Sequence, residues 1–432
     1  MWAYDSVFYQ IYPLGFCGAP SHNDGITVNR ILKVTDWIGQ IQNTGANAVY
    51  FCPVFSSDSH GYDTRDFQKI DCRLGENADF AKVCQELHTA GIRIVLDGVF
   101  NHVGRGFLAF QDVLKNREAS PYHGWFAGLN FNSDNGYHDG LSYEGWEGHY
   151  ELVKLNLNNE EVVQHIFESI KGWVKEFDID GLRLDVAYSL PLSFLKRLRQ
   201  FCSTLKPDFY LLGEMLHGDY SQLMNDTMLH SVTNYQAYKG MWSSFNDLNM
   251  FEINYTLEQH FCQKYIGCHP FNFVDNHDVP RVASILLNPD HLPLIYALLF
   301  AIPGIPCLYY GSEWGATGRK EEGDAALRPS FDLPANNDLT AFIAKCASLF
   351  KQEAALRYGT FKKLLLTNRQ YIFERAYEGE RILAAINAES IPFTAQFAPG
   401  ADCAVNLLNG KEESFRNGIS LPPYSAAYWK IL

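Results

Sequence analysis

Residues 179–189 read Ile-Asp-Gly-Leu-Arg-Leu-Asp-Val-Ala-Tyr-Ser, a run in which aliphatic side chains frame three charged ones. This pattern predicts a short buried strand. Side chains two positions apart on a strand point to the same side, so Arg183 and Asp185 face together where the strand ends. A guanidinium beside a carboxylate keeps that carboxylate ionised and fixes its direction. The pair is either a structural ion pair or the setting of a carboxylate nucleophile for glycosyl transfer.

Seven other segments have the pattern of short buried strands, and helical patterns lie between most of them. The predicted strands are Val7–Tyr12, Ala46–Phe51, Ile92–Asp97, the 179–189 stretch, Phe209–Gly213, His230–Tyr235, Phe271–Asp275 and Ile305–Tyr310. The predicted helices are Ile31–Gln42, Phe80–Ala90, Glu160–Phe177, Phe194–Leu205 and Leu339–Gln352. Such alternation predicts an α/β fold, a (β/α)8 TIM barrel. A doubly wound open sheet is the alternative, but no glycine-rich dinucleotide turn follows the first strand.

Two parts of the chain interrupt this alternation. The predicted barrel takes residues 1–102 and 152–355, and residues 103–151 form a small domain inserted after strand three. The insert is rich in glycine and aromatic residues, whose rings form either a wall beside a cleft or a small satellite core. Residues 356–432 predict a C-terminal antiparallel β-sandwich domain, with short strands at Tyr371–Phe373, Arg381–Ala388, Ala395–Phe397 and Ala426–Ile431.

Composition and charge narrow the expected partners. The chain has 432 residues, 47% of them apolar and 14% aromatic, and a formal charge of −14. No basic block offsets this charge, so neither nucleic acid nor an anionic membrane is an expected partner. The amino terminus has no basic start or apolar signal core, and the longest apolar run, Leu294–Ile302, is too short to cross a bilayer. The ten cysteines are scattered singly, which favours buried reduced thiols over disulfides and predicts a cytoplasmic protein.

Polar residues that could take part in catalysis follow five of the predicted strands in order. They are Ser59–Thr64 after the second strand, Asp97–His102 at the end of the third, Arg183 and Asp185 on the fourth, Gly213–His217 after the fifth and Val274–Asp278 after the seventh. Barrel enzymes build their sites from residues at this end of the strands. The sequence therefore predicts one site that contains several acids and histidines.

The same segments resemble the motifs of the α-amylase superfamily of retaining glycoside hydrolases and transglycosylases. Asp97–His102 is similar to the family's Asp-x-Val-x-Asn-His, and Gly181–Asp185 is similar to its Gly-x-Arg-x-Asp. Gly213-Glu214 resembles the acid/base strand, Asn276–Asp278 the third acid, and Gly304–Glu313 the eighth strand. The resemblance covers nearly the whole chain. It implies a barrel with a domain inserted after strand three and a C-terminal β-sandwich.

By this resemblance Asp185 would be the nucleophile, Glu214 the general acid/base and Asp278 the transition-state stabiliser. Displacement at an anomeric carbon passes through an oxocarbenium-like state, so one carboxylate attacks while a protonated one assists departure of the leaving group. Two neighbouring carboxylates would raise the pKa of Glu214, which must hold its proton. The resemblance also implies residues that bind the sugar by stacking or hydrogen bonding, namely Tyr62, His102, Arg183, His217, His277 and Lys154.

Several of these residues also have an ordinary structural interpretation. A histidine after an apolar strand is often a satisfied core residue, and Tyr62 alone would suit packing. Asp97 lies on the strand itself, so we expect it to hold Arg183 or a neighbouring histidine in place. Asp324 and Arg328 either border the sugar or form an ordinary loop ion pair.

Further motifs indicate a group within the superfamily. Lys154-Leu155-Asn156 resembles the Pro-Lys-Leu-Asn of neopullulanases and cyclomaltodextrinases, although Val153 stands in place of the proline. Glu214–His217 resembles their Glu-x-Trp-His, with Leu216 replacing the tryptophan. Tyr188-Ser189 replaces the Lys-His that follows the nucleophile in many starch-degrading α-amylases. Because of this departure, the resemblance gives less reason to expect their +1/+2 subsite or their interdomain calcium ion in this chain.

The chemistry itself requires no cofactor, and no metal ligand is assigned. A structural calcium ion at Asn101 is the alternative to an asparagine that only donates hydrogen bonds. The amino-terminal domain through which cyclomaltodextrinases dimerise has no counterpart before the first strand, so we expect a monomer or a weak homo-oligomer.

The sequence thus predicts a cytoplasmic retaining α-glucan hydrolase that cleaves α-1,4 bonds of malto-oligosaccharides, cyclodextrins or pullulan. One alternative is an α-1,4-glucanotransferase, in which a sugar hydroxyl replaces water in the second step. Another is a true α-amylase acting on starch. A non-catalytic carbohydrate-binding or partner-binding relative should have lost at least one of the three acids, and this chain has all three.

Overall fold

The computed structural model describes residues 1–432, and eight parallel strands form its centre. In chain order they are β1 (Phe8–Ile11), β2 (Ala48–Phe51), β3 (Arg93–Gly98), β4 (Gly181–Leu184), β5 (Tyr210–Gly213), β6 (Ser231–Val232), β7 (Phe271–Phe273) and β8 (Ile305–Tyr309). Strands β1 to β6 pair in sequence, and β8 pairs with both β1 and β7. A parallel bridge between Thr233 and Phe271 joins β6 to β7 and closes the sheet. The predicted TIM barrel is confirmed.

Helices cover the outside of the barrel. The long ones are α1 (Lys33–Asn43), α2 (Asn77–Thr89), α3 (Glu160–Phe177), α4 (Leu192–Leu205), α5 (Tyr235–Asn246), α6 (Leu292–Ala301) and α7 (Asp338–Gln352). Shorter helices are Pro13–Phe16, Leu108–Asn116, Phe251–Glu258, Val282–Ile285, Asp324–Leu327 and Ala354–Tyr358. None of the helices combines the length and the apolar character needed to span a membrane.

The connection between β5 and β6 has no helix beyond one short turn, Tyr220–Gln222. Asp219 accepts a hydrogen bond from the backbone N–H of Ser221, and Asn225 accepts one from the N–H of Thr227. Such side-chain to backbone bonds compete with helical ones and favour turns. The loop that follows Glu214 therefore stays irregular at the open end of the barrel.

The inserted segment contains its own small sheet, and several of its rings pack against one another. His149–Lys154 is the middle strand, between His102–Gly104 and Gly145–Trp146. Phe110 packs edge-on against Phe126 and against Tyr143, with ring centroids 5.1 Å apart in both pairs. These rings belong to the same buried cluster as the barrel core, so they pack inward without forming a separate satellite core.

The C-terminal part is built from antiparallel strands. A six-stranded sheet contains, in spatial order, Thr360–Leu366, Gln370–Tyr377, Glu380–Asn387, Ser425–Ile431, Cys403–Asn406 and Lys411–Ser414. Phe393–Ala395 and Ile419–Leu421 form a separate pair. One side of the large sheet contributes Tyr371, Phe373 and Tyr428 to the 114-residue core of the barrel, and the other side encloses a cluster of ten buried residues. All ten cysteines are free thiols.

Candidate active site

A cavity of about 620 Å³ lies at the carboxyl ends of the barrel strands, where the predicted site residues were expected. Its volume is in the range of small-molecule sites. Asp185, Glu214, Asp278, Tyr62 and His102 line it. Residues that sequence reasoning did not assign also line it, namely His60, Trp146, His149, Glu151, Leu152, Val186, Tyr188, Leu216, Tyr235, Val279 and Lys320, together with Asp324 and Arg328.

Strand register places the first two acids side by side. Leu184 on β4 pairs with Gly213 on β5, and the next residue of each strand is an acid. The backbone N–H of Glu214 donates to the carbonyl of Leu184 at 2.9 Å. Asp185 and Glu214 therefore leave neighbouring strands at the same height, as a pair of cooperating carboxyl groups requires.

Arg183 connects three acids with one guanidinium. Its Nη1 donates to Asp185 Oδ1 at 2.8 Å and to both oxygens of Asp97 at 3.0 Å, and its Nη2 lies 2.8 Å from Glu214 Oε1. All four side chains are buried. Arg183 was predicted to bind the sugar, but these acids engage it and it lies behind them, outside the cavity lining. Asp97 holds Arg183, which was one of its two expected partners.

Burial raises the pKa of two of the acids. For Asp185 burial raises the pKa to about 7, although the Arg183 guanidinium opposes this and Glu214 adds to it. For Glu214 burial is again the main cause of a raised pKa, with Arg183 opposing it and the charge of Asp278 adding to it. The two carboxyl groups interact, so their titration belongs to the pair. The site can therefore retain a proton near neutral pH, as acid catalysis requires.

Asp278 has the opposite electrostatic character. Burial works against its charge, but His277 and Arg328 outweigh that effect and lower its pKa. Arg328 Nη2 donates to Asp278 Oδ1 at 3.0 Å, and His277 Nε2 lies 3.0 Å from Oδ2. Arg328 also lies 3.3 Å from Asp324 Oδ2, and both residues line the cavity. The two expectations for Asp324 and Arg328, an ion pair in a loop and a border of the site, are therefore both met. Asp278 is the acid that these contacts keep ionised.

His277 contacts both Asp278 and the hydroxyl group of Tyr62. Gln10 Nε2 donates to His277 Nδ1 at 2.8 Å, so the ring proton lies on Nε2 and points to Asp278 and the Tyr62 hydroxyl. Burial lowers the pKa of His277 to about 3, which keeps the ring neutral. The predicted role of His277 as a donor to sugar has no free N–H in this arrangement. The Tyr62 ring lies parallel to the His277 ring, with centroids 5.7 Å apart, and lines the cavity as a platform would.

His102 keeps one nitrogen unpartnered. The Asn101 amide donates to its Nδ1 at 3.1 Å, so its proton lies on Nε2, which is 3.9 Å from Asp185 Oδ2 and makes no hydrogen bond. Burial lowers the pKa of His102 to about 3, so the ring is neutral. Asn101 is thus a donor here, and no group of three or more His, Cys, Asp or Glu side chains is arranged to hold a metal ion. A structural calcium ion at Asn101 stays a prediction, since calcium also binds backbone and amide carbonyl oxygens.

Besides Arg183 and His277, two more predicted substrate-binding residues lie outside the cavity lining. Lys154 lies on the middle strand of the insert, and its ammonium is 3.1 Å from Glu144 Oε2. His217 is exposed beyond the end of β5, and its ring lies 5.9 Å from that of Tyr188, which does line the cavity. A role for His217 at the outer edge of the site stays a prediction.

Only one of six aromatic residues of the insert lines the cavity, namely Trp146 out of Tyr122, Trp125, Phe126, Tyr137, Tyr143 and Trp146. Its strand ends in a turn in which Glu147 and Gly148 both have positive φ, 47° and 88°. That turn returns the chain so that His149, with its ring 5.7 Å from the Trp146 ring, also lines the cavity. The expectation of a wall of several rings is wrong, because the other rings pack within the insert.

The chain is similar to known proteins over most of its length. A family model described as "Alpha amylase, catalytic domain" matches residues 10–355. The chain is 30% identical over 417 residues to a cyclomaltodextrinase of Thermoanaerobacter pseudethanolicus, covering 90% of this chain and 71% of that protein. It is 32% identical over 380 residues to an intracellular maltogenic amylase of Bacillus subtilis, covering 82% of this chain but only 63% of that protein. Among solved structures, the ligand-free cyclic α-maltosyl-(1→6)-maltose hydrolase of Arthrobacter globiformis is 27% identical, with a TM-score of 0.86 and full coverage of both chains.

Proposed function

Because the chain belongs to the α-amylase family of glycoside hydrolases, we propose that it is a retaining hydrolase of short α-glucans. It cleaves α-1,4 bonds of malto-oligosaccharides and cyclodextrins through a covalent glycosyl-enzyme intermediate. The observation that carries this proposal is the set of three acids, Asp185, Glu214 and Asp278, around one cavity, with one guanidinium joining the first two. The names of the cyclomaltodextrinase and the maltogenic amylase support the substrate class.

In the first step a carboxylate oxygen of Asp185 attacks the anomeric carbon and forms a glycosyl ester. The bond from that carbon to the glycosidic oxygen breaks, and the proton of Glu214 passes to that oxygen. In the second step Glu214 takes a proton from water, whose oxygen attacks the same carbon and releases Asp185. Arg183 orients both acids throughout, since it contacts each of them at 2.8 Å.

The remaining residues bind the sugar at the reacting carbon. Asp278, held ionised by Arg328, can accept hydrogen bonds from sugar hydroxyls and stabilise positive charge that develops on the ring. His102 offers an unpartnered Nε2–H next to Asp185. Tyr62 supplies the flat apolar face on which a sugar can stack.

The cavity favours a short substrate over a long polymer. Trp146, His149, Glu151 and Leu152 of the insert line one side of it. A cavity of this size encloses most of a small ligand, whereas a polymer must lie across the rim. A cytoplasmic location and a monomeric or weakly associating state belong to the same proposal, the first supported by the relative that is named intracellular.

Product analysis tests the proposal. Purified protein is incubated with maltotriose, γ-cyclodextrin, pullulan and soluble starch, and the products are separated over time. The proposal expects maltose and glucose from maltotriose at early times. From γ-cyclodextrin it expects the ring-opened linear oligosaccharide first, followed by shorter products. Products longer than the substrate would instead identify a glucanotransferase. No turnover of any substrate, together with binding of maltotriose, would identify a non-catalytic relative and reject the proposal.

A further inference from the structure

Val186, the residue after the proposed nucleophile, adopts a backbone conformation that its side chain disfavours. Its φ and ψ are 40° and 46°, in the left-handed region. Among the non-glycine residues with positive φ it is the only β-branched one, the others being Arg117, His138, Glu147, Asp178, Leu248, Glu378 and Tyr424. A β-branched residue in this region is a true outlier and costs roughly 1–3 kcal/mol. Strain of this kind persists only where the surrounding structure holds it.

The strained turn aims one hydrogen-bond donor at Glu214. The backbone N–H of Val186 donates to Glu214 Oε2 at 2.9 Å. The turn is closed by the N–H of Ser189, which donates to the Val186 carbonyl at 2.8 Å. The donor is therefore fixed by backbone geometry and cannot rotate away as a side chain can.

Gly213 allows this turn to approach the acid. A Cβ atom at Gly213 would lie 3.0 Å from the Ala187 Cβ and 2.3 Å from Leu229 Cδ1. Because Gly213 has no side chain, the Val186–Ala187 turn packs directly against the residue that precedes Glu214. Two independent features, the positive φ and the missing Cβ, thus bring the same N–H to the same carboxyl group.

From this geometry we infer that Val186 is a positioning residue for Glu214, one whose strained backbone N–H fixes the direction of the carboxyl group that delivers the catalytic proton. Oε2 accepts the Val186 N–H at 2.9 Å, and Oε1 lies 2.8 Å from Arg183 Nη2. The carboxyl group of Glu214 is thus held from both of its oxygens, on one side by the backbone of the strained turn. The inference rests on the proposed function, since it assigns an arrangement to its general acid.

The effect can be measured by comparing two leaving groups. Release of a sugar from maltotriose needs the proton of Glu214, whereas fluoride leaves α-maltosyl fluoride with little acid assistance. The value of kcat/KM reports the first step for both substrates. Glycine at this position relaxes the turn, because it adopts left-handed and other conformations with equal ease.

We expect Val186→Gly to lower kcat/KM at least about tenfold on maltotriose but less than about threefold on α-maltosyl fluoride. Val186→Ala keeps a Cβ, so its loss of kcat/KM should be smaller than that of Val186→Gly, and again larger on maltotriose than on α-maltosyl fluoride. Leu248→Gly, which releases a similar φ of 47° away from the cavity, should leave both values within about twofold. The N–H bond supports the charged form of Glu214, so its loosening should also move the basic limb of the pH profile upward.

Retained hydrolysis of α-maltosyl fluoride shows that the variant has a folded site. Equal losses on the two substrates, or no loss on either, would overturn the inference while leaving the hydrolase itself intact. Wild-type protein that cleaves neither substrate would instead reject the proposed function. The two failures are therefore distinguishable in one set of assays.

Discussion

Asp185 is the residue on which the proposed chemistry depends most. Its Oδ1 is held by Arg183 at 2.8 Å, and it lines the cavity beside Glu214. Asp185→Asn is nearly isosteric, but an amide cannot form the glycosyl ester, so activity on maltotriose should fall by about four orders of magnitude or more. Glu151→Gln likewise turns a carboxylate into an amide, but in an exposed residue of the cavity. Its activity on maltotriose should stay within about tenfold of the wild-type activity. Near-normal turnover by purified Asp185→Asn would refute the assignment.

The same substitution should change how stability depends on pH. Burial raises the pKa of Asp185 in the folded protein to about 7, above the roughly 3.9 of an unfolded aspartate. The folded state then binds more protons than the unfolded state between these values, so this residue costs stability as pH rises. Asp185→Asn removes the cost, and its gain in Tm over wild type should be larger at pH 8 than at pH 5. A gain that shrinks with rising pH would contradict the raised pKa.

Among the structural elements, the turn of the insert brings Trp146 to the cavity while the other rings pack away from it. A ring that stacks on a sugar contributes about 1 kcal/mol, so Trp146→Ala should lower kcat/KM on maltotriose about fivefold to tenfold. Tyr137→Ala is the matched control, because its half-exposed ring covers Arg105 and does not line the cavity. Similar losses in both variants would mean that the insert acts through its fold and not through Trp146.

Two helices end against one arginine of the C-terminal sheet. Arg375 is fully buried, and it donates to the carbonyl of Ala301, the last residue of α6, at 2.6 Å. It also donates to the carbonyl of Gly359, directly after the helix Ala354–Tyr358, at 3.0 Å. A cation there satisfies unpaired carbonyl groups and suits the negative end of each helix. Burial lowers the pKa of Arg375 to about 9, so its charge is still present at neutral pH.

Arg375→Met should therefore destabilise the protein by about 2–4 kcal/mol, because it leaves buried carbonyl groups without donors. Arg416→Met removes an exposed arginine that pairs with Asp402 at 2.9 Å and should cost less than about 0.5 kcal/mol. Urea unfolding followed by circular dichroism measures both. Equal stabilities for the two variants would show that Arg375 does not tie the sheet to the barrel.

At the scale of the whole molecule, the barrel and the place of the site follow from short contiguous segments. Three segments each contain residues of a strand or of its polar end, namely Asp97–His102, Gly181–Asp185 and Asn276–Asp278. The strands and the position of the site can therefore be predicted from local sequence. Contacts between segments could not be predicted in the same way. The closed barrel brings separate strands together, and two contacts of the site depend on this. One joins Arg183 to Glu214, and the other joins the N–H of His277 to Asp278.

Loop side chains were less predictable for a similar reason. An aromatic residue in a long loop can pack inward or face a cleft, and sequence gives no period that separates the two. Tyr143 and Trp146 lie three residues apart, yet only Trp146 lines the cavity. Lys154 was assigned by its motif, but its ammonium finds Glu144 on the neighbouring chain segment of the insert.

The size of the cavity, with insert residues along one side, predicts a preference for short substrates. We expect kcat/KM per bond to be higher on maltotriose to maltoheptaose, or on cyclodextrins, than on soluble starch, by about tenfold. Reducing-end assays at matched bond concentrations measure this ratio. Rapid loss of the starch–iodine colour with oligosaccharides left nearly untouched would indicate a true α-amylase.

The central claim is that Asp185 attacks the sugar directly, with its carboxyl carbon about 5–5.5 Å from that of Glu214, as in retaining enzymes. Proton NMR of the products, recorded before mutarotation equilibrates them, tests this most directly. Hydrolysis of γ-cyclodextrin should release the new reducing end first as the α-anomer. Initial release of the β-anomer would mean a single inverting displacement by water, and Asp185 could not be the nucleophile.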